Sequence, residues 1–168
     1  MKNIILVGFM GTGKSVVGKH LAAKLDRDFI ELDDIIEAKE KMSIKDIFEK
    51  KLEPYFRQVE KEVAKEAAKR EDVVISAGGG AVMDEENFKN LKNSGIIICL
   101  KASPDTILKR TKNLKTRPLL NVPDPKKQIE ELLKKREPYY NKADFSINTD
   151  NLTIEQVAAR AIDFIHTL

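Results

Sequence analysis

A single cysteine, Cys99, supplies the only thiol in a chain of 168 residues. One thiol closes no disulfide within the chain, so a secreted disulfide scaffold is excluded and the fold must rest on its core. Cys99 sits in Ile96-Ile97-Ile98-Cys99-Leu100 and reads as a buried core residue. No apolar run reaches the roughly 18 residues of a membrane-spanning helix, so no membrane partner is expected. Neither sign of charge dominates. The 30 basic and 27 acidic residues leave +3, which is no footprint for nucleic acid. The two histidines, His20 and His166, belong to no motif. Repeats, low-complexity tracts and interdomain linkers are missing as well, so residues 1–168 are expected to form one domain. Met1-Lys2-Asn3 leads straight into an apolar run without a signal-peptide core, and a cytoplasmic protein is expected.

What is present is a hydrophobic fraction of 42% beneath a surface rich in charge, with 34% charged residues. Short apolar runs alternate with helical patterns. Asn3 to Val7, Phe29 to Leu32, Val73 to Ser76, Ile96 to Leu100 and Phe145 to Ile147 read as strands. Ser15 to Leu25 reads as a helix, and a long helical stretch from about Asp34 to Arg70 reads as two or three pieces. Ser43 begins a capping-box-like sequence, and Pro54 marks the start of a further piece. Ser103-Pro104 opens a helix to about Arg110, another spans about Pro125 to Tyr140, and Thr153-Ile154-Glu155-Gln156 caps the last. This alternation predicts an α/β fold with a parallel sheet covered on both faces. Residues 112–125 hold Pro118, Pro123 and Pro125 and break the pattern as a mobile loop.

Gly8-Phe9-Met10-Gly11-Thr12-Gly13-Lys14-Ser15 has the form G-x-x-x-x-G-K-S, after a strand and before a helix. Its glycines let backbone N–H groups turn inward onto phosphate oxygens, and the helix N-terminus adds further donors. Lys14 brings a positive charge to the β- and γ-phosphates, and Ser15 a hydroxyl for Mg²⁺. The stretch Gly11, Thr12, Gly13, Lys14, Ser15 and Val16 is therefore the candidate ATP-binding segment, with Mg²⁺ as the accompanying ion.

A phosphate loop alone does not separate a kinase from a switch. Asp33 and Asp34 follow the second strand at the carboxyl end of the sheet, where open α/β sheets bind ligands. Asp34 reads as the cap of the next helix, and Asp33 as a group that accepts a hydrogen bond from an attacking hydroxyl. Glu31 lies two residues before Asp33, on the same side if the strand continues through Leu32. Gly78-Gly79-Gly80 ends the third strand, either as a turn or as a close approach to ligand. Arg57, Arg117 and Arg136 carry forks that match carboxylates and phosphates. Two of them converging on a pocket would select an acidic substrate, and one on a mobile loop would close over phosphates.

Over nearly its full length the chain resembles the shikimate kinase family. The resemblance is carried by Gly8 to Ser15, Asp33, Ser43-Ile44-Lys45-Asp46-Ile47-Phe48, Phe56-Arg57, Ser76 to Gly80, Arg117-Pro118-Leu119-Leu120, and Arg136 with Pro138 and Tyr139. It implies phosphorylation of the 3-hydroxyl of shikimate by MgATP, with ATP and shikimate as partners; a monomer is expected. It further implies Asp33 on the ring hydroxyls as base, Arg57 and Arg136 on the carboxylate, and backbone contacts from Gly79 and Gly80. Arg117 would lie on a lid and reach the transferring phosphate, and Arg110 would lie by the adenine. The implied fold is a three-layer α/β/α domain of the P-loop kinase type, with a five-stranded parallel sheet. Its substrate-binding segment would span about 33–60 and its lid about 112–125. Two positions depart from the family pattern: Glu31, where the resemblance implies an acid, usually aspartate, that helps organise Mg²⁺, so that Glu31 would hold a metal-bound water with Ser15 as the direct ligand; and Leu52-Glu53, where Gly-Glu is usual, which reads as a variation at a helix start. A gluconate kinase on the same fold would also grip a hydroxy acid. A regulatory nucleotide-binding module would leave Asp33 and the three arginines without a role.

Overall fold

Five strands pair side by side in one parallel sheet: β1 (Asn3–Val7), β2 (Asp28–Glu31), β3 (Val73–Ser76), β4 (Gly95–Lys101) and β5 (Phe145–Asn148). The computed structural model describes residues 2–113 and 118–168. The strand order is β2-β3-β1-β4-β5, with every neighbouring pair parallel. Parallel neighbours need crossovers, and helices supply them. These are α1 (Lys14–Leu25), α2 (Leu32–Glu40), α3 (Ile44–Ala67), α4 (Glu85–Ser94), α5 (Pro104–Thr111), α6 (Pro125–Tyr140) and α7 (Ile154–His166).

Alternation along β1 divides the core in two. Ile5 and Val7 join one layer with Ile36 of α2, Val59 and Val63 of α3, Leu91 of α4, Ile107 of α5 and Ile129 of α6. Ile4 and Leu6 join the other with Val17 and Leu21 of α1 and Val157 and Ala161 of α7. The result is three layers, as expected. Cys99 is fully buried in the first layer, where burial pushes its thiol up to about 11.

The topology fixes where a ligand can enter. β1 passes to β2 through α1 on one face, whereas β3 passes to β4 through α4 on the other. These adjacent strands send their connections opposite ways, which opens a crevice at their carboxyl ends. The loops that follow them meet there: a Cβ built on Gly79 would lie 3.3 Å from the Gly8 carbonyl oxygen.

Several boundaries differ from the sequence reading. β2 ends at Glu31 and α2 starts at Leu32, so the strand does not carry Asp33. Asp34 is no cap. The cap position is Glu31, whose side chain makes no capping bond, while Asp33 and Asp34 occupy the first turn. Acids are favoured in that turn by the exposed N–H groups of the helix end. Helix α4 was not anticipated because Phe88 and Leu91 are nearly its only apolar residues. Its start is fixed instead by the Asp84 side chain, which accepts from Asn87 N–H. Ser43, Ser103 and Thr153 cap their helices as expected. α3 is broken at Leu52, which has φ 69° and ψ 166°, and Pro54 lies just beyond the break. Within 112–125, Pro118–Leu120 form one short 3-10 turn.

Candidate active site

The loop between β1 and α1 is held by its own backbone. Gly8, Gly11 and Gly13 have φ of 140°, 78° and 94°, in the region that favours glycine. At Gly8 a Cβ would meet the Leu100 carbonyl oxygen at 2.2 Å, so no other residue fits. Thr12 donates twice to the Phe9 carbonyl, from its N–H at 3.3 Å and its hydroxyl at 2.7 Å. Lys14 Nζ donates to the Gly8 and Phe9 carbonyls at 2.9 and 3.1 Å, which folds its charge across the loop mouth. Gly13 caps α1 without a side-chain bond. The first N–H groups of the helix thus lack an internal cap and suit an anion. Val16 follows on the first turn, 53% exposed.

Arg110 reaches this loop from α5. Its Nη1 donates to the Gly11 carbonyl and the Thr149 hydroxyl, both at 3.1 Å, and its Nη2 to the Thr149 carbonyl at 3.3 Å. It joins the phosphate loop to the segment after β5 and does not line the cavity described next.

Beside Lys14 and Ser15 opens a cavity of about 230 Å³, whose other walls include Glu31, Asp33, Arg57, Glu60, Gly78, Gly79, Gly80 and Arg136. Segments far apart in sequence meet here: the junction of β2 and α2, α3, the glycines after β3, and α6. Pro118 and Leu119 close its rim. Arg117 lies outside the described residues.

The two arginines of the cavity are held differently. Arg57 Nη1 pairs with Glu60 at 2.8 Å and Nη2 with Glu53 at 3.3 Å. Burial alone would lower its pKa, but these carboxylates outweigh it and raise it. Arg136 is only 2% exposed and lies over the Phe9 ring at 5.2 Å. Its Nε and Nη1 find no hydrogen-bond partner among the described residues. A buried guanidinium with unbonded nitrogens suits an anion.

Glu60 was missed in the sequence. It is buried, and burial raises its carboxyl above the usual range against the pull of Arg57. Its spacing of three residues from Arg57 on a helix was the available signal. Tyr140 was also missed. It follows Arg136 by one turn of α6, and its hydroxyl donates to the Gly79 carbonyl at 2.5 Å.

Glu31 reaches the phosphate side. Ser15 Oγ donates to its carboxylate. Burial raises the Glu31 pKa, the Ser15 bond lowers it, and neighbouring Asp33 raises it again. Among the described residues, no group of three or more His, Cys, Asp or Glu side chains could hold a metal ion. A hydroxyl beside one carboxylate suits Mg²⁺, a hard ion that keeps several waters and takes its other oxygens from phosphates. No described helix is long and apolar enough to cross a membrane.

The arrangement can hold phosphates on one wall and an anionic acceptor on the other, with the Asp33 carboxylate between them. Comparison with known proteins agrees. A family model described as shikimate kinase matches residues 10–166. A shikimate kinase of Thermodesulfovibrio yellowstonii is 49% identical over 162 residues, covering 96% of this chain and 94% of the relative. One of Caldanaerobacter subterraneus subsp. tengcongensis is 48% identical, covering 96% and 95%. Among solved structures, the shikimate kinase of Acinetobacter baumannii in complex with shikimate superposes with a TM-score of 0.97 at 39% identity, covering 99% of this chain and 94% of that one.

Proposed function

The chain belongs to the shikimate kinase family, and from that premise we propose how its residues divide the reaction. The enzyme transfers the terminal phosphoryl group of ATP to the 3-hydroxyl of shikimate, giving shikimate 3-phosphate and ADP for aromatic amino-acid biosynthesis. The gluconate and regulatory readings fall away with the family. In our reading, the N–H groups of Gly11 to Val16 cradle the phosphates, and Lys14 stabilises charge on the transferring group. Arg57 and Arg136 take the shikimate carboxylate, Gly79 and Gly80 contact the ring through backbone, and Asp33 accepts the proton of the attacking hydroxyl. Arg110 flanks the adenine, and Arg117 closes over the phosphates from a lid spanning about 112–125. The substrate-binding segment spans about 33–60 within one domain of residues 1–168.

Mg²⁺ would be held directly by Ser15 and through water by Glu31. When bound with ATP, it neutralises phosphate charge. We further propose that the enzyme acts as a cytoplasmic monomer without nucleic-acid or membrane partners.

One observation carries the division of roles. Arg136 is buried with two nitrogens that find no hydrogen-bond partner among the described residues, beside a cavity that Lys14 also lines. An acceptor with a carboxylate at one end and a hydroxyl at the other spans those groups. Coupled ADP release with shikimate, gluconate and no acceptor, run in parallel, tests the assignment. Shikimate alone should sustain turnover; equal rates with gluconate would defeat it.

A further inference from the structure

Residues 78–81 form a tight turn closed by Ala81 N–H on the Gly78 carbonyl at 3.0 Å. Gly80, its third residue, has φ −100° and ψ −3°, which makes the turn type I. A type II turn has the same ends but φ near +80° at that residue, a conformation open to glycine. The two types differ by a half-rotation of the peptide between Gly79 and Gly80. In a trans peptide the C=O and N–H point opposite ways, so that rotation reverses the Gly80 N–H. With glycine on both sides of the peptide, sterics do not choose between the two arrangements.

The Tyr140 hydroxyl supplies the choice. It donates to the Gly79 carbonyl at 2.5 Å from a side chain only 4% exposed. We infer that Tyr140 is a positioning residue that locks this turn as type I, so that the Gly80 N–H faces the acceptor. Arg136 sits one turn earlier on α6, and its Nη1 lies 3.0 Å from where a Gly79 Cβ would be. One helix therefore sets both the carboxylate fork and the direction of a backbone donor. Burial pushes the Tyr140 hydroxyl up to about 12, so it keeps its donor proton through neutral pH. The inference rests on the acceptor-pocket assignment proposed above.

Tyr140→Phe keeps the ring and removes the hydroxyl, and with it both the donor to Gly79 and the bond to Arg136, so the Gly80 amide signal is the readout specific to the turn. It should raise the KM for shikimate about tenfold while the KM for ATP stays within about twofold. The amide resonance of Gly80 in the ligand-free variant should double or broaden and return to one signal on saturation with shikimate. Arg136→Ala serves as the separate arm. If it raises the shikimate KM and Tyr140→Phe does not, the turn lock is wrong and the pocket assignment stands. If Arg136→Ala leaves that KM unaltered, the pocket assignment fails and the inference with it. In the unaltered protein, free of ligand, the Gly80 amide should give one resonance. Two resonances there would overturn the lock, whether or not the variant folds.

Discussion

The two walls of the cavity are built on different principles. The phosphate wall is one continuous segment, held by glycine backbone geometry and by the bonds of Thr12 and Lys14 to its own carbonyls. The acceptor wall is a set of side-chain charges from separate elements: Asp33, Arg57, Glu60 and Arg136. Preset backbone donors pay little reorganisation when phosphate arrives. A charge network is adjustable, and its members do not count equally. Arg57 already has two carboxylate partners, so a substrate must share it. Arg136 is buried with nitrogens still to be bonded.

The strongest way to break the phosphate wall is Lys14→Ala. Transfer should fall by about three orders of magnitude or more in a protein that still folds. Near-normal turnover would refute the assignment of the loop. The acceptor wall is tested next by comparing its arginines. Arg136→Ala should lower kcat/KM for shikimate by roughly 100- to 1000-fold, and Arg57→Ala by roughly 10- to 100-fold, with the KM for ATP nearly constant in both. Stability should move the other way. Arg57→Ala strands buried Glu60 and should lower the melting temperature, whereas Arg136→Ala removes a buried cation with two unbonded nitrogens and only a more distant charge interaction with Glu60, and should cost less. Equal effects of both substitutions on kcat/KM and on melting would erase the distinction.

Glu31 lies where the walls meet, and its effect should be smaller. Glu31→Gln should raise the Mg²⁺ concentration for half-maximal rate severalfold and leave the KM for shikimate nearly unchanged. Its raised pKa also has a stability consequence. Above about pH 4.5 the unfolded chain releases this proton before the folded one does. Ionised Glu31 therefore takes away stability as pH rises through that window. Urea melts across the window should show a flatter profile for Glu31→Gln than for the parent; parallel profiles would refute this. The smallest effect belongs to the frame of the acceptor wall. Leu52 has φ 69° and ψ 166°, a conformation nearly confined to glycine, and is 65% exposed. Leu52→Gly should relieve strain worth about 1–3 kcal/mol, less about 1 kcal/mol for the freedom glycine gains in the unfolded chain. A rise of roughly 2–4 °C in melting temperature is expected.

This division also explains what could be read in the sequence. The phosphate wall was legible because its eight residues are contiguous and each type has a fixed task. The central strands β1, β3 and β4 were legible because they are apolar runs buried on both faces, whereas the edge strands β2 and β5 are shorter on apolar residues and partly exposed. Arg57 and Arg136 were singled out as arginines, but their joint role came from the resemblance, since 79 positions separate them and only the fold brings them together. Glu60 escaped because a glutamate on a long charged helix looks like solvated surface until burial is known. Asp33 was placed at the right edge because it follows β2, but its relation to Glu31 was read from a strand that does not continue. It stands in the first turn of α2, not on a strand continued past Glu31. The Leu52 departure looked like a variation at a helix start and proved to be a backbone position that favours glycine.

The central claim is that the acceptor wall recognises its substrate by a carboxylate. Its most direct test compares shikimate with its methyl ester in the coupled ADP-release assay on the unaltered enzyme. The ester keeps the ring and the 3-hydroxyl but carries no charge. The account predicts that kcat/KM falls by about 100-fold or more for the ester, with the KM for ATP unchanged. Comparable kcat/KM values for the acid and the ester would contradict it.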